Sequence, residues 1–400
     1  MLSKKGKSLR PSPTLAIAAK AKELAAQGHH VISLSVGEPD WDTYANIKEA
    51  GIAAIQAGQT KYSAANGTAQ LRHAIVQYTA KQLGVEYKPS EVTVSVGAKF
   101  ILFSALQMLC DPGDEVLILT PYWVSYPTMV ELVDAVPVIV PSDESTGFKP
   151  NAFQIEKFIT PKTKLIMLNS PNNPTGAMYS KSEISEIARM LERHPKVMVI
   201  SDDIYNQLLF TGEKVAPHLL HAVPGLKERV VVVNGASKSF SMTGWRLGWA
   251  LGPEAVINAM SNYQSQTVSC AAPFTQAAAL AGLQGGDSEL IANLERLKER
   301  RNLFIEALNS IPGWKCGMPD GAFYVWANVR GILGKIYKGR SLESSAMLAS
   351  ALLEDQKVAV VPGAESGVEG YLRLSFAVHE RDLNEAVKRL RAFTEGLFNP

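Results

Sequence analysis

Cysteine is scarce in this chain, three in 400 residues. Cys110, Cys270 and Cys316 have no metal or redox spacing, so they read as reduced packing residues of a cytosolic protein. No apolar run approaches the ~18 residues that span a membrane. Neither sign of charge dominates: 40 Lys and Arg stand against 38 Asp and Glu, and a net charge of +2 gives no argument for a nucleic-acid partner. The basic cluster Lys4, Lys5, Lys7 and Arg10 reads as a mobile terminus. No apolar core follows it, so it is not a secretory signal, and the expected setting is cytoplasmic. Asn66-Gly-Thr68 matches a glycosylation sequon by pattern only. No Gly-x-Gly-x-x-Gly follows a strand and no Gly-Lys-Ser/Thr loop occurs, which leaves a Rossmann dehydrogenase and a P-loop NTPase unsupported. Internal repeats and low-complexity tracts are absent too.

What is present is an ordinary globular composition, 46% apolar and 20% charged. A chain of 400 residues exceeds the usual single-core limit of roughly 250 to 300, so two domains are expected. Residues 14 to 27 and 48 to 57 carry helical spacing, and Gly67-Thr68 opens another helix. From Val92 onward, strand and helix alternate, which argues an α/β fold with a largely parallel sheet covered by helices. Strands are expected at 92–96, 115–120, 164–168, 197–200 and 230–233. A helix runs from Gly97 to Cys110, and another covers 180–191. Ser288 to Leu308 reads as a long helix between domains, followed by strands of a smaller domain at 321–326, 358–361 and 371–376.

The strand Val230 to Val233 ends in the turn residues Asn234 and Gly235, and Lys238 and Arg246 follow. The carboxyl end of a strand in such a sheet faces the ligand crevice. A lysine there can form a Schiff base once desolvation or a nearby cation lowers its pKa. Arg246 could be that cation and could also fork onto a phosphate. On spacing alone, a solvated lysine and an unrelated structural arginine explain the stretch equally well.

Other candidates share that end of the sheet. Gly97-Ala98-Lys99 opens a helix whose free amides suit a phosphate. Trp123 leaves the strand 115–120, where an indole can lie on a planar ring or simply pack in the core. Asp202 and Tyr205 follow the strand 197–200; Asp202 is the candidate for a buried, partnered carboxylate and Asp203 reads as solvated. The Asn173-Pro174 bond invites a cis peptide. Gly37-Glu-Pro-Asp40 is a turn, and Tyr62 alone reads as a packing residue. Arg373 sits inside an alternating strand and needs a partner if buried.

Taken together, Ser-Lys-Ser-Phe-Ser-Met-Thr-Gly-Trp-Arg-Leu-Gly (237–248), Asn169-Ser-Pro-Asn-Asn-Pro-Thr-Gly176 and Thr120-Pro-Tyr-Trp-Val-Ser-Tyr-Pro127 closely resemble the class I aminotransferases of the pyridoxal phosphate (PLP) fold type I superfamily. The bacterial aspartate aminotransferase branch is the most similar, and the likeness covers nearly the whole chain. It implies a seven-stranded, mostly parallel sheet in a large PLP-binding domain (45–285), a smaller α+β domain (286–400), and an N-terminal arm with part of the small domain (1–44). It implies PLP carried by Lys238, with Asp202 at the pyridine nitrogen, Asn173 and Tyr205 on the ring oxygen, and Trp123 stacked on the ring. Arg246, Ser237 and the amides of Gly97, Ala98 and Lys99 would hold the phosphate, joined by Tyr62 across a homodimer interface. Arg373, Gly37, Asn173 and Trp123 would bind substrate, with Lys99 and Ser12 or Thr14 at a second carboxylate. The implied reaction is ping-pong transamination of L-aspartate with 2-oxoglutarate. Prephenate, aromatic or alanine aminotransferases, and a carbon–sulfur lyase, use the same kind of site. One departure stands out: relatives often carry an aromatic residue after Pro362-Gly363, where this chain has Ser366.

Overall fold

The computed structural model describes residues 1–9 and 11–398. Its centre is a seven-stranded sheet formed by β1 (Val92–Ser95), β2 (Glu115–Leu119), β3 (Val136–Val140), β4 (Thr163–Asn169), β5 (Met198–Asp202), β6 (Val230–Gly235) and β7 (Gly248–Leu251). The spatial order is β1-β7-β6-β5-β4-β2-β3. Only β7 runs against its neighbours; the other adjacent pairs are parallel. Helices cover both faces, so alternate residues of one strand enter different cores. Val230 and Val232 pack on one face, Val231 and Val233 on the other. Burial on both sides explains why these strands read as unbroken apolar runs. β3 was not expected. Pro137 interrupts its run, and an edge position, where no partner needs the missing N–H, accommodates it.

A second core gathers around the antiparallel strands Val361–Pro362, Tyr371–Ser375, Tyr324–Asn328 and Lys315–Cys316, in that order. The long helix Ser288–Asn309 buries Leu290, Leu297 and Phe304 against it. Ile32 and Leu34 join the same core, and Ile32–Ser33 pairs with Val358–Ala359. The N-terminal segment is not simply loose: Lys4–Ser8 is helical and the Lys5 amine meets Asp134 at 2.7 Å. Arg10, the last member of the basic cluster, lies outside the described residues.

Two glycines bring the helix Ala98–Leu109 onto the sheet. Gly97 caps it at φ 101°, a conformation that strains any L side chain. A Cβ on Gly248 of β7 would stand 2.3 Å from the Ala98 nitrogen. Gly248→Ala must therefore push the helix start off the sheet. The expected cost is about 1–3 kcal/mol, typical of overpacking. It should appear in urea titrations as a lower midpoint at unchanged slope. A wild-type midpoint would show that the helix start yields freely.

Candidate active site

Chain topology brings the candidate residues together at the carboxyl ends of β4, β5 and β6. Asn169 and Asp202 are register partners there, and Asp202 in turn pairs with Val233. The loops beyond these ends line a cavity of about 310 Å³ between the two cores. Gly37, Ala98, Lys99, Trp123, Asn173, Asp202, Tyr205, Ser237, Lys238, Arg246 and Arg373 all border it. Thr14 borders it as well, while Ser12 lines an adjoining groove. Tyr62 does not reach it and stands 89% exposed.

The electrostatics follow from burial. Lys238 donates to the Gly37 carbonyl. Desolvation pushes its amine down to about 8; Arg373 and Arg246 add to this, and Glu38 and Asp202 oppose it. Burial likewise pushes Asp202 up to about 6, against hydrogen bonds from the Tyr126 hydroxyl at 2.6 Å and the Ile204 amide. Arg373 is 3% exposed, not on a polar face; its guanidinium donates to Asn173 Oδ1 at 3.0 Å and to the Ser35 carbonyl, leaving a buried Nε with no partner among the described residues. That orphan donor fits a carboxylate arriving from the cavity. Lys99 lies over the Trp123 ring, 4.9 Å from its centroid, and burial with the Arg246 charge lowers its pKa.

A phosphate cradle is also present. The first amides of a helix have no intrahelical acceptor, and those of Ala98 and Lys99 open the helix beside Arg246. Arg246 holds a left-handed φ of 55° and is pinned by its own bond to the Thr243 carbonyl, 2.7 Å away. A Cβ on Gly97 would come within 2.8 Å of its Nη2. A phosphate on the amides and Arg246, a protonated ring nitrogen on Asp202 and a carbonyl beside Lys238 make a donor set that fits PLP.

Two expectations are corrected. The cis bonds are Thr120–Pro121 and Ser170–Pro171, not Asn173–Pro174. Asn173 is aimed instead by its amide, which donates to Asn169 Oδ1 at 2.8 Å, and by Arg373. Asp203 is buried rather than solvated, because the segment around His218 folds over it. Ser201 Oγ donates to Asp203 Oδ1 at 2.6 Å, and His218 Nε2 lies 3.5 Å from Oδ2. The Leu220 amide donates to His218 Nδ1, so the neutral ring carries its proton on Nε2. Burial pushes His218 down to about 3 and Asp203 up to about 8, so the two stay neutral together rather than forming an ion pair.

Sequence reasoning missed three groups at this site. Tyr126 holds Asp202, and the Asn169 side-chain amide donates to the Asp202 carbonyl at 2.8 Å. The third, Tyr324, comes from the second core and meets the Tyr205 hydroxyl at 2.8 Å. Tyr126 lies within the stretch 120–127 that carries part of the resemblance, which was the available signal. Ser366 is buried, and its carbonyl accepts from the Tyr122 amide at 3.2 Å. The Tyr122 ring packs so close to Gly367 that a Cβ there would meet it at 2.8 Å, so an aromatic ring does border this loop, contributed by another segment.

The sequence model for aminotransferase class I and II matches residues 29–390. The chain belongs to this family. The aspartate/prephenate aminotransferase of Nitrosomonas europaea is 42% identical to this aminotransferase over 97% of the chain and 98% of its own length. That of Cereibacter sphaeroides is 44% identical over 97% of each. The crystal structure of the aspartate aminotransferase from Rhizobium meliloti superposes with a TM-score of 0.94 at 40% identity, covering 99% of both chains. The Thermus thermophilus aspartate aminotransferase with maleate gives 0.90 at 39% identity over 98% and 99%. The fold expected from the resemblance, PLP-dependent transferase fold type I, is thus the fold observed.

The Asp203 cluster carries a pH signature. Its folded pKa lies near 8 against an ordinary 3.8, so the native state holds a proton that the unfolded chain has released across that window. The Asp203 contribution to stability therefore falls as pH rises from about 4 to 8 and levels off above, while the buried neutral His218 contributes the opposite slope below about 6.5. Asp203→Asn has no proton to lose. Its stability relative to wild type should rise between pH 4 and 8, read by urea unfolding of the protein without cofactor. A constant difference across that range would contradict a neutral Asp203.

Proposed function

We propose that this aminotransferase is a PLP enzyme that transfers the amino group of L-aspartate to 2-oxoglutarate. The observation that carries the reading is the convergence of Lys238, Asp202 and Arg373 on one cavity. Bound PLP supplies a carbonyl that takes up the amino group and a ring that accepts electrons when the substrate Cα loses its proton. Lys238 holds that carbonyl between substrates. When an amino acid takes its place there, the Lys238 amine would be the group that moves the substrate Cα proton; a pKa near 8 suits an amine that must both take and give one. Asp202 stays ionised against the protonated ring nitrogen, since opposite charges in contact favour both charged forms. Tyr205 and Asn173 would hold the ring oxygen and Trp123 would cover the ring. Arg246, Ser237 and the amides of Ala98 and Lys99 would hold the phosphate; the Gly97 amide, expected to join them, donates instead to the Ser95 carbonyl at 2.8 Å.

Arg373 forks onto the α-carboxylate, with Gly37 and Asn173 beside it. Lys99 reaches the second carboxylate of an acidic substrate, with Thr14 or Ser12 next to it. Thr14 Oγ1 is buried with no partner among the described residues, which supports a ligand acceptor there. The solved relative with maleate, a dicarboxylate, supports the same reading. The enzyme works as a cytoplasmic homodimer, in which the exposed Tyr62 reaches the phosphate of a second copy. Among the described residues no helix is long and apolar enough to cross a membrane. The deciding experiment is a panel of amino and keto acids read by cofactor absorbance. Release of keto acid without uptake of a second keto acid would point to a lyase.

Lys238→Ala should retain PLP, because Arg246 and the helix-start amides still hold the phosphate, yet lose turnover. Retention is read by absorbance after gel filtration; near wild-type turnover would remove Lys238 from the reaction. Lys99→Met should lose a charge-assisted hydrogen bond of about 1.5–3 kcal/mol, roughly ten- to hundred-fold in kcat/KM. The loss should fall on aspartate and prephenate and spare alanine and phenylalanine. An equal fall on every substrate would assign Lys99 to the cofactor instead.

A further inference from the structure

Tyr324 opens a strand of the second core, in register with Ser375 and 1% exposed. Its ring carries the Arg373 guanidinium 4.6 Å above its centre and meets the Tyr205 ring edge-on at 5.9 Å. Its hydroxyl lies 2.8 Å from that of Tyr205. Gly37 makes room for it: a Cβ on Gly37 would stand 2.1 Å from the Tyr324 oxygen. The Gly37 carbonyl is also the acceptor for Lys238.

We propose that Tyr324 is a positioning residue for the amino-group transfer, its hydroxyl donating to the Tyr205 oxygen and so committing the Tyr205 proton to an acceptor in the cavity. Counting protons gives the direction. Each phenol has one proton and can accept as well. Among the described residues, the Tyr324 hydroxyl has no hydrogen-bond partner except Tyr205. Both hydroxyls border the cavity, so either could turn its proton there. The function proposed above decides between them: the single Tyr205 proton goes to the cofactor ring oxygen, so Tyr205 can only accept from Tyr324, whose own proton is then bonded. A donor chain of this kind polarises its second O–H, strengthening its hydrogen bond by about a tenth or more.

The consequence rests on the function proposed above, in which Tyr205 donates to the cofactor ring oxygen. A stronger donor draws electron density from that oxygen. The adjacent nitrogen of the lysine–cofactor chromophore then holds its proton less firmly, and the chromophore changes colour at a lower pH. The charged groups facing the tyrosine pair and Lys238 are Arg373 from the neighbouring strand, Asp202 from β5, Arg246 from the turn before β7, and Glu38 from the loop after Gly37. All four are kept in the variants below.

The test is an absorbance titration of the holoenzyme. Tyr324→Phe keeps the ring under Arg373 and removes only the hydroxyl. Its chromophore midpoint should rise by about half a pH unit, with kcat lowered several-fold and KM for aspartate unchanged. Tyr324→Leu also removes the ring, so its KM should rise. In a Tyr205→Phe background, adding Tyr324→Phe should move the midpoint no further, because the relay is already cut. An unchanged midpoint in Tyr324→Phe, or an equal shift in the Tyr205→Phe background, overturns the inference and leaves the aminotransferase site standing. Absence of any chromophore on Lys238 would instead bring down the reading of the site, and this inference with it.

Discussion

The site depends on placing Lys238, Asp202 and Arg373 in one space with little water. Lys238 and Asp202 would resist ionisation there on their own, because burial removes solvation that a single weak contact cannot replace. Burial does move the Lys238 amine down and the Asp202 carboxyl up, to about 8 and about 6. Their mutual attraction works against both shifts, as do the Tyr126 hydroxyl and the Ile204 amide on Asp202. Arg373 is satisfied differently, by two neutral oxygens of Asn173 and Ser35, which leaves its charge uncompensated for an incoming carboxylate. The cavity thus offers uncompensated positive charge at one end and a buried carboxyl at the other.

Such a space needs walls that do not give. The second core docks on the first backbone to backbone. The Ala322 amide donates to the Leu208 carbonyl at 2.8 Å, and Asp320 and Gly321 both donate to Gly176. A Cβ on Gly321 would meet the Leu208 oxygen and the Pro171 ring, each at 2.6 Å. These contacts bracket the two segments that carry Asn173 and Tyr205. The glycines of this seam therefore serve close approach, and the polar groups they admit hold the loops beyond β4 and β5 against the sheet that supplies Tyr324 and Arg373.

The sequence made the central strands legible because both their faces are buried, leaving apolar runs such as Val230–Val233 with turn chemistry at the end. β3 was hidden by Pro137, which argues against a strand unless the edge position is already known. The site was legible through local motifs: Lys238, Asp202, Asn173, Arg246 and Arg373 all border the cavity. What stayed hidden was long-range. The Tyr205–Tyr324 pair spans 119 positions, and nothing near Tyr324 distinguishes a structural aromatic in a strand from a hydroxyl aimed at the site. Asp203 was misread for the same reason, since its cover comes from His218 on a later loop. The proline bond in the cis form was placed three residues late, because local sequence offers Pro171 and Pro174 on nearly equal terms.

Lys99 shows how a residue without a ligand can be set for one. Its amine lies over the Trp123 ring, and Arg246 repels it from the phosphate side. A cation–π contact at an open site is worth about 0.5–1 kcal/mol, whereas a charge-assisted hydrogen bond is worth about 1.5–3 kcal/mol. The indole therefore keeps the amine in place but does not hold it against a carboxylate. A substrate with a second carboxylate, under the role proposed for Lys99, draws the amine away and gains the difference. One without it leaves the amine on the ring and forfeits nothing, because no buried charge is stranded. Discrimination of acidic from neutral side chains then arises from a modest gain on one side, not a penalty on the other.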